Sequence, residues 1–142
     1  GKKRALILSE WLKSISPKIE KIYCSSSKRT IQTTELIKQE LSHNIHVEEQ
    51  PELYGASLDE LINFLLFISD DSLNSIGIVG HEPGLKQLAL YLTGAYGKGL
   101  ENVLNNQFST SSSIVLILNI TRWDQIGERI GTVAHYHHSL DL

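Results

Sequence analysis

Apolar residues first recur along the chain at helical spacing: Ala5, Leu8, Leu12 and Ile15, with Leu6 and Trp11 widening the face. The pattern predicts an amphipathic helix over 2–15, which Pro17 would stop. No Ser, Thr, Asp or Asn precedes this helix as a cap, so its true start is expected upstream of Gly1. A short strand is predicted over 19–24, then a helix over 27–41 with Thr30, Thr34, Ile37 and Leu41 on one face. Ile45 and Val47 alternate with polar residues in a brief strand, and a loop through Pro51 leads to a helix over 58–68. Ser57 and Glu60 form a capping box for that helix, whose buried stripe is Leu58, Leu61, Ile62 and Leu65. After a polar turn over 70–74, the run 75–80 with Ile76, Ile78 and Val79 predicts a strand buried on both faces. Pro83, at the first helical position, opens a helix carrying Leu85, Leu88, Ala89 and Leu92 until Thr93 and Gly94 stop it. A mobile connection over 94–107 follows. Strands over 114–120 and 129–136, joined by a turn over 123–127, are expected to pair antiparallel.

Strands alternating with helices predict an α/β protein, a three-layer α/β/α sandwich with a mainly parallel sheet in a single domain over 1–142. A crossover helix normally joins two strands, yet here the alternation opens on a helix. A first strand is therefore expected upstream of Gly1, making the domain N-terminally incomplete. The chain contains no methionine, which agrees with a segment ahead of Gly1 and leaves a removed signal peptide open.

Composition narrows the function classes. A formal charge of -3 gives no bulk attraction to nucleic acid or an anionic membrane, so neither is expected as a partner. Apolar runs such as 61–68 and 113–120 fall well short of the ~20 residues a membrane-spanning helix needs. Cys24 is the only cysteine, so no internal disulfide can form, and a reducing, cytoplasmic setting is expected.

Two strand-to-helix junctions hold candidate chemistry, because ligands of open α/β sheets bind beyond the carboxyl ends of the strands. In CSSSKRTIQT, Arg29 falls near a helix start, where a guanidinium and backbone N–H groups could grip a phosphate. The ordinary alternative is a solvated surface arginine. In VGHEPGL, His81 stands between a strand and a helix start, with Gly80 allowing close backbone approach. A hydrogen-bonded structural histidine is the alternative there. His135, His137 and His138 suggest a metal, but zinc needs three or four convergent ligands and no cysteine or placed carboxylate completes the set, so no metal is expected. GAYGKGLEN lacks the Lys-Ser/Thr ending of a phosphate-binding loop and reads as a flexible loop. The serines at 25–27 and 109–113 have no GxSxG context; the first group is expected to shape the turn ahead of Arg29.

Taken in order, GKKRA, SSSKRTIQT, PELYGAS, VGHEPGL and YLTG resemble the histidine phosphatase superfamily, which is phosphoglycerate mutase-like, and in particular its small phosphohistidine-phosphatase branch. The resemblance runs through nearly the whole chain, with RxxQT and GHxPGL its most specific elements. It implies a metal- and cofactor-independent phosphatase in which a histidine of an upstream Arg-His element attacks phosphorus and becomes a transient phosphohistidine. By the same resemblance Arg29 binds phosphoryl oxygens, His81 donates a hydrogen bond to them in the transition state, and Ser25 joins them as a phosphate-binding residue. The implied partner is a phosphorylated protein carrying phosphohistidine, or a small phosphorylated substrate. Relatives carry a carboxylate in an LYE-like element, whereas Leu53 and Tyr54 are followed here by Gly55. Glu52, Asp59 and Glu82 are the substitutes for that acid, each with a surface carboxylate as the ordinary reading. An alkoxide needs protonation more than an imidazole does, so loss of the acid favours P–N over P–O cleavage. The competing reading is a non-catalytic phosphate or phosphoprotein-binding module that keeps Arg29 and His81.

Overall fold

A computed structural model describes residues 2–15, 18–41, 44–105 and 112–138. These residues form two compact units, one built from residues up to Gly55 together with Ser72–Gly80, the other from Ala56–Asp71 together with His81–His138. Pro17 lies outside the described residues.

In the first unit, α1 (Lys2–Lys13), β1 (Lys21–Ser25), α2 (Lys28–Glu40), β2 (His46–Gln50) and β3 (Ile76–Val79) follow the expected alternation. The three strands make a parallel sheet in the order β2-β1-β3. Ile22 of β1 meets Ile37 of α2, the C-cap residue Leu41 and Ile45 in a buried cluster, with Leu8 and Leu12 of α1 and Val79 of β3 packed on it. Tyr23, Cys24 and Ser25 are buried as well, so β1 is enclosed on both faces, as a central parallel strand should be. β3 differs from its expected double burial, since all four of its residues are only half-buried. Its position explains this: among the described residues it is an edge strand, with β1 as neighbour on one side. Its start is fastened by Glu20, whose carboxylate accepts hydrogen bonds from the backbone N–H of Asn74 at 2.6 Å and Ser75 at 2.9 Å.

The second unit contains α3 (Leu58–Leu66), α4 (Gly84–Leu92), β4 (Thr93–Tyr96), β5 (Ser112–Leu118) and β6 (Gly131–His138). β5 and β6 pair antiparallel as expected, with β4 parallel to β6 on its other side. Ala89, Leu104 and Val133 centre the core, with Tyr96, Leu100, Ile114 and Leu116 against them. The capping box of α3 is present: Ser57 Oγ accepts from Glu60 N at 3.2 Å, and Glu60 accepts from Ser57 N at 3.0 Å.

Two details of this unit depart from expectation. Pro83 is the N-cap of α4 and Gly84 is the first helical residue. Residues 94–96, expected within a mobile connection, form β4 together with Thr93, directly after the helix stops. Thr-Gly-Ala-Tyr is too short to show alternation, and Gly94 is what admits the pairing: a Cβ there would lie 2.3 Å from the carbonyl oxygen of Arg129. The chain is thus an α/β protein whose first sheet is parallel throughout and whose second is mixed.

Candidate functional site

The turn from β1 into α2 is built from hydroxyls. Ser27 takes the extended conformation of an N-cap, and its Oγ accepts from Thr30 N at 3.2 Å. Thr30 is buried, and its Oγ1 donates toward the carbonyl oxygens of Ser25 and Ser27, each at 2.9 Å. The same oxygen lies 2.8 Å from Ser25 Oγ and 2.8 Å from Ser27 Oγ. One turn further on, Thr34 Oγ1 donates to the carbonyl oxygen of Thr30 at 2.7 Å. Arg29, the second residue of α2, is exposed beside this network. Its guanidinium is therefore carried by a rigid first helical turn, at the positive end of the helix dipole, where an anion is favoured. Ser25, expected as a phosphate ligand, is 0% exposed, with its hydroxyl turned to Thr30. In the sequence pattern Thr30 stands only as part of the buried helix face. The spacing of three hydroxyl residues at 25, 27 and 30 was the signal that could have marked it.

Cys24, just before this turn, is 1% exposed. Burial pushes its thiol pKa up, against a hydrogen bond with Thr34 that lowers it.

His81 begins the second segment of the second unit and is half-buried; its carbonyl oxygen accepts from Leu85 N at 3.3 Å, tying the residue to the first turn of α4. Gly84 in the same element is needed for packing, because a Cβ there would stand 2.3 Å from the carbonyl oxygen of Ala56 and 3.2 Å from Leu61. Thus the His-Glu-Pro-Gly stretch packs closely through its glycine, and the histidine is held by its backbone.

The candidate acids are spread out. Glu52 is exposed in the turn Pro51–Leu53, and Asp59 is exposed in the first turn of α3. Glu82 is exposed as a residue, yet its carboxyl is sheltered enough for burial to raise its pKa, against a hydrogen bond from Lys86 N at 3.3 Å that lowers it. Gly55, where relatives by resemblance carry the acid, has φ of 62° and nothing within 4 Å of a built Cβ. A side chain would find room there but a strained backbone.

His135 is exposed on β6 and His137 half-buried; the side chain of His138 and the serines 109–111 lie outside the described part. Among the described residues no group of three or more His, Cys, Asp or Glu is gathered as a metal site. The stretch 94–102, read as a flexible loop, is partly β4.

The family described as histidine phosphatase superfamily (branch 1) matches residues 1–61. An uncharacterised protein of Mycobacterium leprae is 31% identical over 140 residues, covering 96% of this chain and 82% of its own length. Among solved structures, a candidate phosphohistidine phosphatase SixA from Nakamurella multipartitia superposes with a TM-score of 0.79 at 20% identity, over 98% of this chain and 81% of that one. Its counterpart from Agrobacterium tumefaciens gives 0.75 at 19% identity, over 97% and 79%. The protein histidine phosphatase SixA complexed with tungstate gives 0.70 at 21% identity, over 96% and 79%. At these identities the structures establish a shared fold.

Proposed function

Because the chain belongs to the histidine phosphatase superfamily, we propose that it hydrolyses a phosphorylated substrate through a phosphohistidine intermediate, with phosphohistidine in a protein as the preferred substrate and a small phosphoester as the second. The observation that carries the reading is the parallel pairing of β1 with β3, which sets their carboxyl ends side by side. From those ends the chain runs on to Arg29 and to His81. Ligands of α/β sheets bind at such strand ends.

In the proposed reaction Arg29 holds phosphoryl oxygens through charge-assisted hydrogen bonds. His81 donates to the same oxygens as negative charge grows in the transition state. Ser25 contributes from the turn beneath Arg29. Arg29 and His81 supply the anion-binding side of the reaction to the attacking histidine of an Arg-His element. No metal or cofactor is invoked, and the setting proposed is the cytoplasm.

One feature supports P–N over P–O cleavage: Gly55 offers no carboxyl to protonate an alkoxide leaving group. The test is to compare turnover of a phosphohistidine protein with that of alkyl phosphates, using the full-length protein. Faster release from phosphohistidine is expected; faster alkyl phosphate cleavage reverses the preference.

A further inference from the structure

We propose that Thr30 is a positioning residue for phosphate binding, setting Arg29 through the hydroxyl network of the β1–α2 turn; the proposal rests on the function proposed above.

The argument is a count of protons. A threonine hydroxyl has one proton to give and two lone pairs to receive. Thr30 Oγ1 has four oxygen neighbours, the carbonyls of Ser25 and Ser27 at 2.9 Å and the hydroxyls of Ser25 and Ser27 at 2.8 Å. Carbonyl oxygens can only accept, so the single Thr30 proton is shared between them. The two serine hydroxyls must then donate to the Thr30 lone pairs. Ser27 Oγ keeps a lone pair for Thr30 N, which it caps at 3.2 Å. Thr30 Oγ1 thus joins Ser25 and Ser27 in one network at the start of α2.

This arrangement does more than cap a helix. The cap itself needs only Ser27 Oγ and Thr30 N. Thr30 Oγ1 adds a tie from the first turn of α2 back to Ser25, the last residue of β1. It therefore fixes the direction in which α2 leaves the strand, and with it the backbone of the adjacent Arg29. The rest of α2 is anchored independently by Thr34 and Ile37, both buried. Loss of the Thr30 hydroxyl should loosen the first turn while the helix remains.

Thr30→Val keeps the shape and removes the hydroxyl, whereas Thr30→Ser keeps the hydroxyl. Affinity for inorganic phosphate, measured by titration well below the unfolding temperature, should fall about tenfold in Thr30→Val, the equivalent of one lost buried hydrogen-bond partner. Thr30→Ser should stay close to the unaltered protein. In an Arg29→Ala background, Thr30→Val should cause no further loss, because the residue it positions has gone. Equal losses with and without Arg29, or full phosphate affinity in Thr30→Val, would overturn the positioning role while leaving the function proposed above intact. If the unaltered protein binds no phosphate, that function fails and the role of Thr30 falls with it.

Discussion

Cys24 and Val79 are register partners in the parallel pair of β1 and β3. One residue beyond Cys24 the chain enters the hydroxyl turn that carries Arg29, and two residues beyond Val79 it reaches His81. Substituting Arg29→Ala or His81→Ala should each lower kcat/KM by the equivalent of about 2–4 kcal/mol, the cost of removing one donor to a developing oxyanion. The thermal midpoint should move little, since neither side chain belongs to a buried core cluster. Steady-state kinetics with a phosphohistidine protein checks this, and undiminished turnover in either variant removes that residue from the mechanism.

Gly84→Ala makes a separate prediction. The added methyl would meet the Ala56 carbonyl oxygen at 2.3 Å, a backbone atom that cannot swing aside as a side chain can. Overpacking of this kind costs about 1–3 kcal/mol. Urea unfolding should show the loss. A variant as stable as the unaltered protein would mean that α4 is free to shift on the Ala56 backbone.

Stability should also depend on pH through Lys21 and Glu48, which form an ion pair at 3.2 Å. Burial pushes the Glu48 pKa up, but hydrogen bonds from Lys21 and Gln50, with the Lys21 charge, outweigh it and hold the carboxyl below its usual range. A carboxyl whose folded pKa lies below its unfolded one adds stability above the unfolded value, and that stability is lost as pH falls through the folded value. The Glu48 side chain is 38% exposed, so the pair is worth at most about 1 kcal/mol. Glu48→Gln should therefore be slightly less stable than the unaltered protein near neutral pH, with the gap closing below about pH 4. Unfolding midpoints across that range decide it; a gap that stays constant would show that the charge of Glu48 is not what matters.

Helices were the more legible part of the sequence. Ser57 and Glu60 announced the start of α3, and Ser27 lies one residue before α2, because side-chain capping is written in local residue types. β4 was illegible for a physical reason: its pairing with β6 depends on Gly94 passing close to Arg129, a residue 35 positions away. β3 was legible as a strand, but its half-buried state depends on which neighbours it pairs with, and an apolar run does not encode that. At the candidate site the motifs pointed to Arg29 and His81. Thr30 was hidden inside an apolar-looking face: the hydroxyl spacing at 25, 27 and 30 hints at a shared turn, but the inward turn of the Thr30 hydroxyl onto Ser25 and Ser27 is a matter of side-chain geometry.

The central proposal is that Arg29 and His81 serve one phosphoryl group. A crystal structure of the protein grown with inorganic phosphate tests it most directly. The account predicts a single bound anion within about 3.2 Å of both the Arg29 guanidinium and the His81 imidazole. An anion held by only one of them, or phosphate bound elsewhere with both side chains turned away, would contradict it.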